Sequence, residues 1–181
     1  MHWWGQQYTL CALVELQELD DSDSEQNDII EIIDVWHFLL SMFQVMGIQY
    51  EDLIRMLPGD GEDLEELFYW NEPQIAPGND EYQQEVIQHL RTDLFKVLTL
   101  FPWKHWSKKS DFNHAEIIDA MYAVLGSWVD VATCWEITPA RLYEIYLKKN
   151  AVNIYRQNSG TYSEATKDES DNQSIDVGVA G

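Results

Sequence analysis

Positive charge is what this chain has least of. Eleven Lys and Arg stand against 32 Asp and Glu, a formal net charge of −21. Nucleic acids and anionic membranes bind through cationic faces that release counterions, so neither is an expected partner. Cysteine is nearly absent: Cys11 and Cys134 are the only two. They stand in apolar, helix-like surroundings with no further Cys or His at ligand spacing, which excludes a disulfide framework and a zinc site. They read as reduced packing residues of a cytoplasmic protein. The opening Met1 to Tyr8 carries no cationic leader, and no apolar run approaches the ~18–20 residues that span a bilayer. A soluble, unsecreted chain is expected. Alternating apolar and polar residues are scarce as well, which excludes a fold built on sheets.

What remains is helical and hydrophobic. Residues of the apolar class make up 45% of the 181, with eight Trp among them, enough for a packed core in one domain. The periodicity predicts helices at 6–19, 27–47, 50–57, 62–70, 80–100, 113–132 and 139–156. The breaks between them fall at the polar run 20–26, at Pro58-Gly59-Asp60-Gly61, in 71–79 and at Thr138-Pro139. The expected architecture is an all-α helical bundle over residues 1–157, followed by a polar tail, 158–181, that stays unstructured unless it folds over a ligand.

The second helix reverses the usual surface pattern. Thirteen apolar residues between Ile29 and Met46 cover most of its circumference, and only Glu31, Asp34, His37, Ser41 and Gln44 form a polar stripe, spaced by three or four residues. Such a helix belongs at the centre of a bundle. On the preceding helix Glu15 and Glu18 are likewise one turn apart among Leu10, Leu13, Val14, Leu16 and Leu19. The pattern is Glu-x-x-Glu, twelve residues, then Glu-x-x-Asp. Carboxylates buried on apolar helices are costly unless neutralised, hydrogen-bonded or bound to a cation, and oxygen ligands suit Mg²⁺. The competing reading is local: Asp28-x-x-Glu31 and Asn113-x-x-Glu116 both resemble capping boxes, and Glu15 and Glu18 could face solvent.

The charge is divided unevenly. Residues 1–90 carry 20 acids and one base, residues 91–181 twelve acids and ten bases, so a fold that joins the halves can set cations opposite an acidic wall. Glu31-Ile-Ile-Asp34 returns as Glu116-Ile-Ile-Asp119, 85 residues later, and Asp93 and Lys96 fall where Glu15 and Glu18 stand in the first copy. A duplicated helical unit is implied, active at about 5–57 and degenerate at about 80–157, unless the tetrapeptide arose twice. In the last helix Lys149, Asn153, Arg156 and Gln157 share a face with Asn150 beside them. Arg and Lys there suit phosphate, and Asn and Gln suit a sugar or base edge; a solvated helix end reads equally well. His37 is either a ligand contact or a structural histidine. Trp103-Lys-His-Trp106-Ser-Lys-Lys109 is either a phosphate-proximal loop or a bundle cap.

Three blocks resemble the all-α, dimeric dUTP pyrophosphatases, relatives of the MazG-like nucleoside triphosphate pyrophosphohydrolases. They are Leu13-Val-Glu15-Leu-Gln-Glu18-Leu, Glu31-Ile-Ile-Asp34-Val-Trp-His-Phe-Leu-Leu-Ser41 and Tyr146-Leu-Lys-Lys149-Asn150-Ala-Val-Asn153-Ile-Tyr-Arg156-Gln157. Asp171-Asn172 is a weaker match to a tail motif that closes over substrate. The resemblance implies hydrolysis of dUTP and dUDP to dUMP, two or more Mg²⁺ ions with Mn²⁺ as a substitute, and a homodimer in the cytoplasm, which is a host's if the source is viral. It further implies that Glu15, Glu18, Glu31 and Asp34 hold metal and act in catalysis. Lys149, Asn150, Asn153, Arg156, Gln157 and His37 would then bind the nucleotide. Gln6 and Gln7 receive no role. Two alternatives stand beside it: a pyrophosphohydrolase for another nucleotide such as dCTP, and a non-enzymatic acidic protein that imitates DNA charge to inhibit a partner.

Overall fold

A computed structural model describes residues 2–54, 66, 68, 80–102, 113–159 and 175–178. Six helices are defined among the described residues: α1 (His2–Asp20), α2 (Glu25–Met46), α3 (Tyr50–Ile54), α4 (Asp80–Leu100), α5 (His114–Cys134) and α6 (Pro139–Ser159). The class is all-α, and these helices match those expected from periodicity. The expected helix at 62–70, apart from helical Glu66 and Phe68, lies outside the described residues, as do 55–57, the Trp103 to Lys109 segment and Asp171-Asn172.

The helix ends have local causes. Ser24, three residues before the expected start of α2, is its N-cap, with its hydroxyl accepting from the N–H of Asn27 at 3.3 Å. Glu31 is therefore not a capping-box residue, and Asp28 instead accepts from the indole N–H of Trp135 at 3.0 Å. At α5 Asn113 is the N-cap: its Oδ1 accepts from the N–H of Glu116 at 3.3 Å and its side-chain amide donates to the Glu116 carboxylate at 3.2 Å, a side-chain variant of the expected box. α2 stops at Gly47, whose φ of 76° lets Ile48 N–H reach back to Phe43 O at 2.9 Å.

α2 is the central rod. It packs most extensively on α1 and touches α5 and α6, while α4 pairs with α5 and also meets α1. Ile29, Ile30, Ile32, Ile33, Val35, Leu39, Met42, Phe43 and Met46 are all buried. α1 and α2 form an antiparallel hairpin, since Thr9 lies against Met42 and Gly5 against Met46. A Cβ on Gly5 would stand 2.7 Å from the ring of Phe101, itself 1% exposed, so the absence of a side chain allows this approach. Trp128 of α5 is fully buried, stacks on Trp36 at 4.4 Å and donates its indole N–H to Ile32 O at 3.1 Å, which keys α5 to α2.

Against expectation, α2 and α5 are long and apolar enough to cross a membrane, with mean hydropathies of 1.6 and 1.3 over the relevant windows. Half of the first window and 56% of the second are buried against protein, as befits core helices. Cys134 is buried, and burial with nearby Asp130 pushes its thiol up to about 11, so it packs and does not react at neutral pH.

The polar tail contains an apolar anchor. Ile175 and Val177 are buried, and three successive carbonyls are capped by side chains from two helices: Ile175 O by Gln26 Nε2 at 3.1 Å, Asp176 O by Lys148 Nζ at 2.9 Å, and Val177 O by Arg141 Nε and Nη2 at 2.9 and 2.8 Å. Arg141 also donates to Trp135 O at 3.0 Å and Glu136 O at 3.2 Å. A cation in the first turn of a helix opposes the macrodipole, and these carbonyls offset that cost. Arg141→Met should lower stability by about 1–3 kcal/mol in urea titration. Unchanged stability would mean the anchor contributes nothing.

Candidate metal centre

Carboxylates from α1 and α2 converge where the hairpin packs against α6. Glu15, Glu18 and Glu31 each place one oxygen within 4.8 Å of the others, at positions neither fully buried nor exposed. On α1 the buried stripe runs Gly5, Thr9, Ala12, Leu16, Leu19, and the two glutamates flank it, one turn apart. Leu10 and Val14, on the same helix, are exposed at 40% and 53%. Apolar sequence surrounds Glu15 and Glu18, but only part of it is core.

Asp34, the fourth expected carboxylate, is not part of that close trio. Its Oδ2 lies 2.8 Å from Nζ of Lys149. Lys149 is 5% exposed and occupies a core position of α6, in the stripe Leu142, Ile145, Lys149, Val152. One turn further along both helices the ring of His37 meets that of Tyr146 at 6.0 Å, so α2 and α6 run antiparallel. Across the halves a second pair forms, Arg91 to Asp20 at 2.6 Å. The charge division read from the sequence is thus used to hold the halves together.

The electrostatics are those of crowded acids. Burial, followed by the charges of Asp34, Glu18 and Glu31, raises Glu15 from 4.5 to about 9, and its proton is shared in a hydrogen bond with Glu31. Burial and the charge of Asp34 raise Glu31 to about 7, opposed by that hydrogen bond and by Lys149. Even so, Oε2 of Glu31 is buried with no hydrogen-bond partner among the described residues. An orphaned buried oxygen within a knot of hard oxygen donors fits a divalent cation, which would neutralise the charge and complete its coordination.

The remaining expected residues divide. Asn150, Asn153 and Arg156 lie on α6 beside Lys149, each partly buried; the side chain of Gln157 lies outside the described residues. His37 packs between the rings of Phe38 and Tyr146. In the second hairpin Glu116 and Asp119 are exposed, Asp93 accepts from the Ser127 hydroxyl at 2.5 Å, and Lys96 is exposed, so the recurring tetrapeptide serves a helix cap there. Sequence reasoning missed the pairing of Lys149 with Asp34. Its signal was a lysine in an apolar heptad stripe. It also missed the tail anchor, signalled by Arg141 in a helix's first turn.

The described residues define an all-α bundle with a knot of carboxylates between two apolar helices and the buried ammonium of Lys149 beside it. A family model described as dUTPase matches residues 2–162, and the chain belongs to the dUTPase family. It is a dUTP diphosphatase, a hydrolase acting on a nucleotide, and dUTPases generally use Mg²⁺. Neither the curated proteins nor the solved structures give a match.

Proposed function

We propose that the chain hydrolyses dUTP to dUMP and pyrophosphate, and dUDP to dUMP and phosphate, with two or more Mg²⁺ ions held by Glu15, Glu18, Glu31 and Asp34. Mn²⁺ would substitute. The observation that carries this reading is the convergence of Glu15, Glu18 and Glu31, one of whose oxygens, Oε2 of Glu31, is buried with no hydrogen-bond partner among the described residues, beside an Asp34 paired with Lys149. When bound, the cations would supply the positive charge that stabilises a polyphosphate under attack. One of the four carboxylates would accept the proton of the attacking water. Lys149, Asn153 and Arg156 would then grip phosphate and sugar, with Asn150, Gln157 and His37 as further contacts to the nucleotide.

The acids that matter are gathered together and partly buried, which favours catalysis over imitation of DNA charge. A homodimer is supported by the apolar residues left exposed on α1 and α6, among them Trp3, Trp4, Val14, Tyr143 and Leu147. A single domain over 1–157, an active half joined to a degenerate one, is supported by the two packed helix pairs α1–α2 and α4–α5. Closure of the tail over substrate and a cytoplasmic location complete the proposal.

The test is pyrophosphate release from each dNTP and NTP, with Mg²⁺ and with EDTA. Rapid turnover of dUTP confined to the Mg²⁺ arm is expected. Preference for dCTP would move the assignment to another base, equal activity on every base would remove base selectivity, and undiminished activity in EDTA would refute the metal centre.

A further inference from the structure

We infer that Lys149 is an internal substitute for the metal: it neutralises Asp34 in the cation-free protein and passes to the nucleotide phosphates when Mg²⁺ enters. This rests on the metal reading above. It adds that cation and nucleotide binding are coupled through one side chain.

The two adjacent lysines of α6 show why Lys149 differs. Lys148 points outward, pairs with Glu144 one turn back at 2.8 Å and caps Asp176 O. Lys149 points inward, at a position where the neighbours along the helix are Leu142 and Ile145, and its ammonium is held at 2.8 Å by Asp34. Burying an ammonium at a core position costs several kcal/mol unless a carboxylate receives it. The pair also serves the cluster, since Lys149 is a cation opposing the repulsion that Glu31 feels from its neighbours.

Charge arithmetic makes this arrangement temporary. Once Glu15 and Glu31 have given up their protons, four carboxylates and one lysine sum to −3, a charge that favours cations and repels a triphosphate. Two Mg²⁺ bring the sum to +1, a site that welcomes the triphosphate and in which Asp34 has a stronger cation to bind. Lys149 is then a cation beside cations. Its four-carbon stem and three rotatable donors let it turn to a phosphate oxygen without moving the helix. Lys149 therefore competes with Mg²⁺ when no nucleotide is present and assists when one is. By this account it is a positioning residue in the metal-free state and a substrate contact in the loaded one.

Lysine acylation followed by mass spectrometry reads the exchange directly in the folded wild-type protein. Lys149 should be shielded in EDTA, label at least about fivefold faster in Mg²⁺ alone, and be shielded again with Mg²⁺ and a non-hydrolysable dUTP analogue. Lys148 serves as the exposed control. In calorimetry, Lys149→Met should bind Mg²⁺ at least about fivefold more tightly than wild type without nucleotide, while losing affinity for the analogue by a similar factor. Lys149→Arg should keep the stability of the EDTA form. Shielding that ignores Mg²⁺, or a Lys149→Met protein with unchanged or weaker Mg²⁺ affinity, overturns the inference and leaves an ordinary structural ion pair. Failure of the wild type to bind Mg²⁺ at all would instead overturn the metal reading on which it stands.

Discussion

Glu31→Gln should abolish most dUTP hydrolysis, by about 10²- to 10³-fold in kcat, while making the metal-free protein more stable. The two effects have one origin. Glu31 is held beside Glu15, Glu18 and Asp34, with one oxygen lacking a hydrogen-bond partner among the described residues. An amide of the same shape removes a buried charge and brings N–H donors to the surrounding acids, a gain on the order of 1–3 kcal/mol. Asp34→Asn, one helical turn away, should have the opposite sign. It withdraws the counter-charge of Lys149, an ammonium only 5% exposed, and should cost about 1–3 kcal/mol, less than complete loss of a buried pair because the amide oxygen still accepts. Both variants should lose activity. Urea denaturation in EDTA with steady-state kinetics in Mg²⁺ reads both quantities. A Glu31→Gln protein that is active, or less stable than wild type in EDTA, would contradict the proposed centre.

The second large effect is on pH. In EDTA, stability should fall by several kcal/mol as pH rises from about 5 to 9, and Mg²⁺ should flatten or reverse that decline. An unfolded glutamate ionises near 4.5, whereas in the fold Glu31 keeps its proton to about 7 and Glu15 to about 9. Across that window the folded state binds more protons than the unfolded state. The stabilisation is fully present below 4.5 and is lost as pH climbs through 7 and then 9. Because the carboxyls titrate as one coupled set, the loss is spread across the window. Cations bind the deprotonated form, so Mg²⁺ affinity should rise with pH, and binding near pH 7 should release protons, measurable by calorimetry in buffers of different ionisation heat. A flat profile in EDTA, or one unaltered by Glu15→Gln, would show that the acids do not crowd one another as described.

Much of this was readable from residue order. The polar stripe on α2 is visible because every other position from Ile29 to Met46 is apolar, and a helix with apolar surface on most sides has to be central. Glu15 and Glu18 were less certain, since both could face solvent, and part of the apolar sequence around them, Leu10 and Val14, is exposed. The capping reading of Glu31 failed at Ser24, which starts the helix earlier. The same reading of Glu116 was right. Identical tetrapeptides thus have different jobs, because a cap depends on what precedes it and a site on what faces it.

Period and composition alone determined the helices, the centrality of α2 and the pairing of carboxylates by turn, since each depends only on spacing along one rod. Tertiary packing decided which acid met which base. Asp34 rather than Glu31 receives Lys149, Asp20 receives Arg91, and the carbonyls of Ile175, Asp176 and Val177 find donors on two helices. Those partners lie 28 to 149 residues apart in the chain. Their matching is set by the crossing of helices, because a charge buried in a low-dielectric cleft is tolerable only where the fold delivers its opposite.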